Sequence, residues 1–387
     1  MKQQASVLWL CLGFLVILGN QSAQALPSFA RHEQVSCQLC HTRMPEMNDE
    51  GRAYLLRGLR ESSAGTTKAA TQPTLGEPTP IQWSNYLSLV AHPGLSFAKG
   101  AREQITSGGF DLVAAGPLDQ HWSGVVNPSF DTAGNTVSFP LAYGQYTTSG
   151  EEKFWTVRAG QFTPFALFLN QGGGPSMTLS TPTVLSNSAT TGNTWTPTTP
   201  LQGIELGAVD LPHGSAYLGV AQPNLGPTPE PNTDLYASVE YLLGQTKDSV
   251  TAFGYWGNAT LMPAANVTVH KHFDRVGGFA NVYFPNSKIV AGYLTGGDRD
   301  VNGDSLNSNG YFLLGEYLPT DRLGLYARYD HLNQGLSGGG SQTLEGPTLG
   351  VTWWAQSQIR LTTEAQIQNQ TQTPRVSTLT AEFMVVF

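Results

Sequence analysis

Cys37, Cys40 and His41 are the residues of this sequence whose types and spacing point most directly to chemistry. They belong to the pentapeptide Cys37-Gln38-Leu39-Cys40-His41, a C-x-x-C-H motif of the kind that attaches c-type haem. Two thiols at this spacing can each bond to a vinyl group of the porphyrin, and the adjacent imidazole can ligate the iron. We therefore predict one haem c bound covalently at Cys37 and Cys40, with His41 as the proximal ligand.

Two other interpretations of the motif are a disulfide between Cys37 and Cys40 and half of a zinc site. A zinc site would need further cysteines or histidines at ligand spacing. The chain has only 3 cysteines, and the third, Cys11, lies in a segment that we expect to be removed. These observations favour haem. No convincing Ser/His/Asp or paired-carboxylate arrangement is present, so we predict no acid–base catalytic site.

Residues 1–25 have the pattern of a secretory signal peptide. Lys2 precedes an apolar core at 5–19, and Ala23-Gln24-Ala25 provides small residues for cleavage. The apolar core is too short to span a bilayer. Covalent haem attachment on an exported chain indicates assembly in a bacterial periplasm.

The composition bounds the fold class. Charged residues make up 12% of the chain, about half of the ~25% usual for soluble domains, and Gly is frequent at 43 of 387 residues. No apolar run after the signal reaches the ~18 residues of a membrane helix. A secreted β-protein or an outer-membrane barrel fits these properties. The formal charge of −8 argues against a nucleic-acid partner.

Three regions follow the signal peptide. Residues 26–62 form the haem segment, with helix-compatible spacing from Asn48 to Leu59, and residues 63–80 form a Ser/Thr/Pro/Gly linker. Residues 81–387 alternate apolar and polar side chains; in 359–368, for example, odd positions are mostly apolar and even positions polar or charged. A barrel with an aqueous lumen needs this alternation, although a soluble β-sandwich would show it too. The alternate apolar residues that lead to Phe387, together with the signal peptide and low charge, favour the barrel.

We predict an all-β fold, a transmembrane antiparallel barrel of about sixteen strands, with both barrel ends on the periplasmic side. The segment 264–284 is long for one strand, but a hairpin there would break the even number. We interpret it as one strand with an irregularity at Gly277-Gly278. The longest loop, 166–199, then lies on the extracellular side, and the sequence leaves open whether it folds inward or caps the barrel.

A haem motif directly upstream of a barrel resembles the fused monohaem cytochrome–porins of bacterial outer membranes, whose best-known members serve iron-oxidising bacteria. The matching residues are Pro27-Ser28-Phe29-Ala30-Arg31, the motif at 37–41, Pro45 and Gly51-Arg52. The resemblance implies an electron-transfer protein of the outer membrane. It would pass electrons from extracellular Fe(II), or another redox substrate, to a periplasmic soluble cytochrome or copper protein.

Two alternative functions stay open. The same haem could export electrons to an extracellular acceptor, or the chain could be a diffusion porin whose haem is structural. In each case we expect residues 26–62 to fold into or against the barrel, so that the haem segment is periplasmic or inside the lumen.

The sequence does not settle the distal ligand of the iron. His32 precedes the motif and could fold over the distal face, and Met47 follows Pro45, which could redirect the chain. A methionine of the barrel region, such as Met177 or Met262, would have to dock from a distance.

A second motif, at residues 298–304, begins like a calcium loop of the type D-x-D-x-N-G. Asn309 occupies the twelfth position, where such loops require a bidentate Glu, so a simple acidic turn is the plainer interpretation. The alternative is a weak cation loop in a predicted extracellular connection, formed by Asp298, Asp300, Asn302 and Asp304.

Overall fold

The computed structural model describes most of the chain from residue 40 onward, and the structural statements below concern these residues. The described ranges are 40–43, 46–60, 86–98, 104–106, 109–131, 136–164, 177–186, 195–223, 233–244, 248–264, 267–299, 302–336, 339–356, 359–371 and 373–386. The predicted signal peptide, the predicted linker, His32 and Cys37 lie outside them.

Most of the described residues are in β-strands, with two short helices, α1 (Asp49–Leu56) and α2 (Thr183–Ser186). The strands are β1 (His41–Arg43), β2 (Glu46–Met47), β3 (Leu87–Ala91), β4 (Gly94–Ala98), β5 (Gln104–Thr106), β6 (Phe110–Pro117), β7 (Trp122–Asp131), β8 (Thr136–Thr147), β9 (Lys153–Phe162), β10 (Leu201–Asp210), β11 (Gly214–Pro223), β12 (Asp234–Leu242), β13 (Ser249–Ala264), β14 (Val267–Phe284), β15 (Ser287–Arg299), β16 (Ser305–Thr320), β17 (Leu323–Gly335), β18 (Ser341–Gln356), β19 (Ile359–Gln370) and β20 (Thr373–Val386). Within the described ranges, neither helix has the length and apolar character needed to cross a membrane.

Strands β3 to β20 form one closed antiparallel barrel. Strand β20 pairs with both β3 and β4, while β6 pairs with β3 and β5 pairs with β4. Each of the couples β3–β4 and β5–β6 therefore occupies one strand position, and with β7 to β20 the barrel has sixteen strands. The predicted barrel and its strand number are confirmed.

The first barrel strand is interrupted at His92-Pro93, between β3 and β4. Proline has no N–H to donate to the ladder, although the Pro93 carbonyl still accepts a 2.9 Å bond from the Phe383 N–H. The strand resumes after this interruption and continues to Ala98.

The long segment at 264–284 is not a hairpin. Residues 267–284 form a single strand, β14, as predicted, although Ala264 belongs to the end of β13. The predicted irregularity at Gly277-Gly278 is wrong, because both glycines pair in register with β13 and the shift falls between Leu261 and Ala264. Gly277 instead leaves room for the side chains of neighbouring strands. A Cβ on Gly277 would stand 2.9 Å from Leu294 and 3.0 Å from Phe253, so packing explains this position.

Alternate residues of each strand face inward or outward. On β17 the outward Leu325 and Tyr329 are exposed, and the inward Arg328 and Asp330 are buried. The same parity holds around the barrel, so exposed large apolar side chains form an outer belt. Such a belt on a closed porin-like barrel implies an outer-membrane lipid environment. Short turns such as 211–213 and 285–286 lie at one end, which we call the periplasmic end because barrels of this class keep short turns there.

Candidate functional site

Residues 46–60, which we call the lumen plug, lie inside the barrel at its periplasmic end. Helix α1 begins at the N-cap Asn48, whose side-chain oxygen accepts a 2.9 Å hydrogen bond from the Gly51 N–H. Asp49 and Glu50 occupy the first turn, where a negative charge interacts favourably with the positive end of the helix dipole. The sequence prediction of a helix between residues 48 and 59 agrees with this element.

Apolar side chains hold the plug against the inner wall. Leu56 is 1% exposed and packs in one cluster with Phe154, Val209 and Tyr217. Tyr54 and Leu59 form a second cluster with inward-facing residues of β6 and β7. Full burial of a leucine-sized side chain contributes about 1.5–3 kcal/mol, so these clusters are a large part of the docking energy.

Polar contacts fix the position of the plug along the barrel axis. Arg52 forms an ion pair with Glu240, an inward residue of β12 whose side chain is 5% exposed. Gln145 Nε2 donates to the Leu56 carbonyl at 3.2 Å. Arg57 Nε and Arg60 Nη2 donate to backbone carbonyls in two periplasmic turns, at 3.1 and 3.2 Å. The plug is therefore attached to several strands of the barrel.

The second half of the predicted haem motif rests on this plug. The Cys40 carbonyl accepts a 2.9 Å hydrogen bond from the Asn48 N–H. Gly51 lies so close to Cys40 that any Cβ at position 51 would collide with the Cys40 carbonyl. Cys40 is half-buried. Gly51, which carries part of the family resemblance, is thus needed for close contact between α1 and the motif.

The predicted ligands of the iron are only partly placed. His41 begins β1, which pairs with β2 so that His41 lies directly opposite Met47. Cα atoms of opposed residues are about 4.5–5.5 Å apart, so the backbones of Met47 and His41 lie side by side. Met177, the remote alternative, is 3% exposed in a core cluster with Trp354. Within the described ranges no three His, Cys, Asp or Glu residues group as a metal site.

The described stretch 177–186 of the long loop after β9 lies inside the lumen, so this part of the loop folds inward. Glu364 accepts hydrogen bonds from the Leu179 and Ser180 N–H groups at 3.0 and 3.1 Å. Asp330 accepts from the Thr183 N–H at 3.1 Å, and Arg328 donates to the Ser180 carbonyl at 2.6 Å. The stretch 177–186, including α2, therefore crosses the lumen side of β16 to β19.

Buried charges on the inner wall are paired with one another. Arg158 pairs with Glu205 at 2.7 Å, and Lys288 pairs with Glu316 at 2.9 Å. In each of these two pairs both side chains are no more than 4% exposed. Pairing is what burial of a charge requires. The plug, the inward loop and these pairs together fill much of the inner surface that the structure describes.

The structure does not place the residues of the predicted cation loop in one turn. Asp298 belongs to β15, faces the lumen and pairs with Arg275 at 2.8 Å. Asn302 and Asp304 lie in the following turn, and Asp300 lies outside the described residues. The structure thus commits Asp298 to an internal ion pair.

Sequence reasoning missed the residues that anchor the plug and the loop, above all Glu240 and Glu364. Their only local signal is a carboxylate on the lumen-facing side of a predicted strand, which the alternation at 359–368 did reveal for Glu364. Nothing in the sequence identifies their partners, which lie 188 positions away for Glu240 and 184–185 positions away for Glu364.

Comparisons with known proteins support the fold. No family model and no curated protein sequence matches the chain. Among solved structures, an anion-selective porin from Comamonas acidovorans is similar with a TM-score of 0.60 and 11% identity, over 78% of this chain and 98% of that one. The in-vitro folded OmpT of Vibrio cholerae has a TM-score of 0.58 and 12% identity, over 78% and 96%. The Salmonella typhi OmpF complex with daunomycin has a TM-score of 0.56 and 12% identity, over 78% and 97%. The chain therefore has the fold of a porin-like outer-membrane barrel.

Proposed function

We propose that this barrel is an outer-membrane electron-transfer protein, which carries one haem c at Cys37, Cys40 and His41, next to its lumen plug. Electrons would pass inward, from extracellular Fe(II) to a periplasmic soluble cytochrome or copper protein. The single observation that carries the proposal is the docking of Cys40 onto a helix that is itself anchored inside the barrel. A plain diffusion pore has no need of a C-x-x-C-H motif whose second cysteine contacts a helix in the lumen.

The donor set fits a covalently bound haem. Cys37 and Cys40 would supply the two thioethers and His41 one axial nitrogen, which is the ligand chemistry of c-type cytochromes. The haem, when bound, would supply a one-electron redox centre. The chain's own residues position that centre: α1 supports Cys40, and Arg52 and Leu56 attach α1 to the wall.

The position of the plug supports electron transfer to a periplasmic carrier. Arg57 and Arg60 contact the periplasmic turns at 148–152 and 118–121, so the plug is close to that face of the membrane. The apolar band of such a barrel is about 25 Å tall. A redox centre held inside the lumen is nearer to the extracellular face than one on a separate periplasmic domain.

Sealed proteoliposomes would test the proposal. The full-length protein, purified with its haem, is inserted in one orientation, and membrane-impermeant Fe(II) is added outside while the haem α-band is followed by stopped-flow absorbance. We expect reduction by external Fe(II), followed by reoxidation when an oxidised soluble cytochrome is enclosed. No reduction by Fe(II), with ready oxidation by external acceptors, would instead support electron export.

A diffusion porin is the second candidate, and the fold favours it. The similar structures include a porin described as anion-selective, and the inner wall is rich in charged residues. On this alternative the haem is structural. Steady ion conductance in planar bilayers, together with a haem that neither Fe(II) nor external acceptors oxidise or reduce, would support the porin and contradict the conduit.

A further inference from the structure

We propose that a groove on the outer wall, at the extracellular end of β12 to β16, binds the phosphorylated sugar headgroup of an outer-leaflet lipid. The groove has a volume of about 460 Å³ and lies apart from the lumen plug. The proposal does not depend on the haem, so the failure of either idea leaves the other standing.

One row of paired residues forms the floor and sides of the groove. Trp256, Asp274, Gly297 and Asn307 pair in succession across four neighbouring strands. Gly297 forms the floor, because a Cβ there would stand 3.3 Å from Asp274 Oδ1 and 3.5 Å from Asn307 Oδ1. The Asp274 carboxylate and the Asn307 amide therefore flank the open space above Gly297.

The groove faces the lipid and not the lumen. Asp274 shares its face of β14 with Val276, which is 46% exposed, and Gly297 shares its face of β15 with Tyr293, which is 51% exposed. Both of these apolar side chains belong to the outer belt. The groove therefore opens on the outer surface, directly above lipid-facing residues.

Strand length places the groove at the level of the headgroups. A tilted strand crosses the hydrocarbon core in about 9–11 residues. Strands β13 and β14 have 16 and 18 residues, whereas β10 and β11 have 10 each, so the wall is taller on this side. Ser287 is the periplasmic start of β15, and Gly297 lies ten positions beyond it. The groove thus begins where the apolar core of the membrane ends.

The polar lining suits a phosphorylated sugar. His272 and Arg299 line the groove one row closer to the extracellular end of the barrel. They pair with Asn258 and Ser305, respectively. Within the described ranges, no ion pair or side-chain hydrogen bond engages either of these two groups. A guanidinium binds phosphate oxygens through two parallel N–H donors, and the Asp274 carboxylate and Asn307 amide oxygen can accept hydrogen bonds from sugar hydroxyls.

The exposed rim supports a lipid as the occupant rather than a soluble anion. Trp256 is 51% exposed and its ring lies over Gly254, toward the apolar belt, and Leu235 beside it is 50% exposed. Tryptophan at this level is typical of a membrane interface. A ligand with acyl chains below its phosphate would cover both the apolar rim and the Arg299 guanidinium.

Native mass spectrometry of the delipidated full-length protein would test this site. The probe is a diphosphorylated diglucosamine lipid, and the comparison probe is the same lipid without phosphates. We expect the phosphorylated lipid to bind more tightly, and Arg299→Gln to weaken its binding by about tenfold or more, as loss of a charge-assisted hydrogen bond implies. Asn307→Ala should also weaken it.

Arg322→Gln is the matched control, because Arg322 is an exposed arginine in a turn at the opposite end of the barrel. Equal affinity of the wild type, Arg299→Gln and Arg322→Gln for the phosphorylated lipid would overturn the assignment. Displacement of the lipid by an equal concentration of inorganic phosphate would also overturn it, since that result describes an anion site with no preference for lipid.

Discussion

Replacing Arg52 with glutamine should loosen the lumen plug. Arg52 is 23% exposed and its partner Glu240 only 5%, so the substitution leaves a nearly buried carboxylate without its cation. Leu56 and Tyr54 would still pack against the wall. We therefore expect α1 to stay folded and to leave its docked position more often.

The magnitude follows from the contact. A hydrogen bond to a charged group contributes about 1.5–3 kcal/mol, and the partial exposure of Arg52 favours the lower part of that range. A loss of about 2 kcal/mol corresponds to roughly a 30-fold rise in the population of the displaced plug. The double variant Arg52→Gln/Glu240→Gln should recover part of this loss, because no buried charge is then left unpaired.

Single-channel recording in planar bilayers measures the effect. Displacement of the plug opens the periplasmic end of the lumen, so the fraction of time in a conducting state should rise by about the same factor in Arg52→Gln. Arg322→Gln serves again as the exposed-arginine control. Identical recordings for Arg52→Gln and Arg322→Gln would refute the docking role of the Arg52–Glu240 pair.

Two further predictions concern the motif and the inward loop. Gly51→Ala places a Cβ against the Cys40 carbonyl, so haem content per purified chain should fall while the barrel still folds; unchanged haem content would contradict the packing argument. Glu364→Gln removes the charge that holds the Leu179 and Ser180 N–H groups, at a cost of about 1–2 kcal/mol for the loop. Limited proteolysis should then cut the 177–186 stretch faster than in the wild type, and an unchanged cleavage rate would show that other contacts hold it.

The barrel could be predicted from the sequence because its determinants are local. Outward residues must be apolar and inward residues can be polar, so apolar and polar side chains alternate along the strands. Strand β14 shows both the strength and the limit of this reasoning. It was correctly predicted to be one long strand and not a hairpin, but its glycines were interpreted as an irregularity, since sequence cannot distinguish a glycine that bends a strand from one that makes room for Phe253.

The contents of the lumen could not be predicted, because they depend on pairs distant in sequence. Arg52 and Glu240 are 188 positions apart, and Ser180 and Glu364 are 184 apart. No periodic pattern links such residues, and each of them taken alone is also compatible with a solvent-exposed position. The C-x-x-C-H motif is a local signal of a different kind, since its chemistry is contained in five consecutive residues, and its haem stays a prediction.

The most direct test of the central proposal is the haem content of the protein purified from bacterial outer membranes. We predict one haem per chain that stays attached after denaturation and acid–acetone extraction, and that is lost when Cys37 and Cys40 are replaced by alanine. A wild-type chain that folds into the membrane and conducts ions, yet carries no covalent haem, would contradict the electron-transfer proposal and leave the diffusion porin.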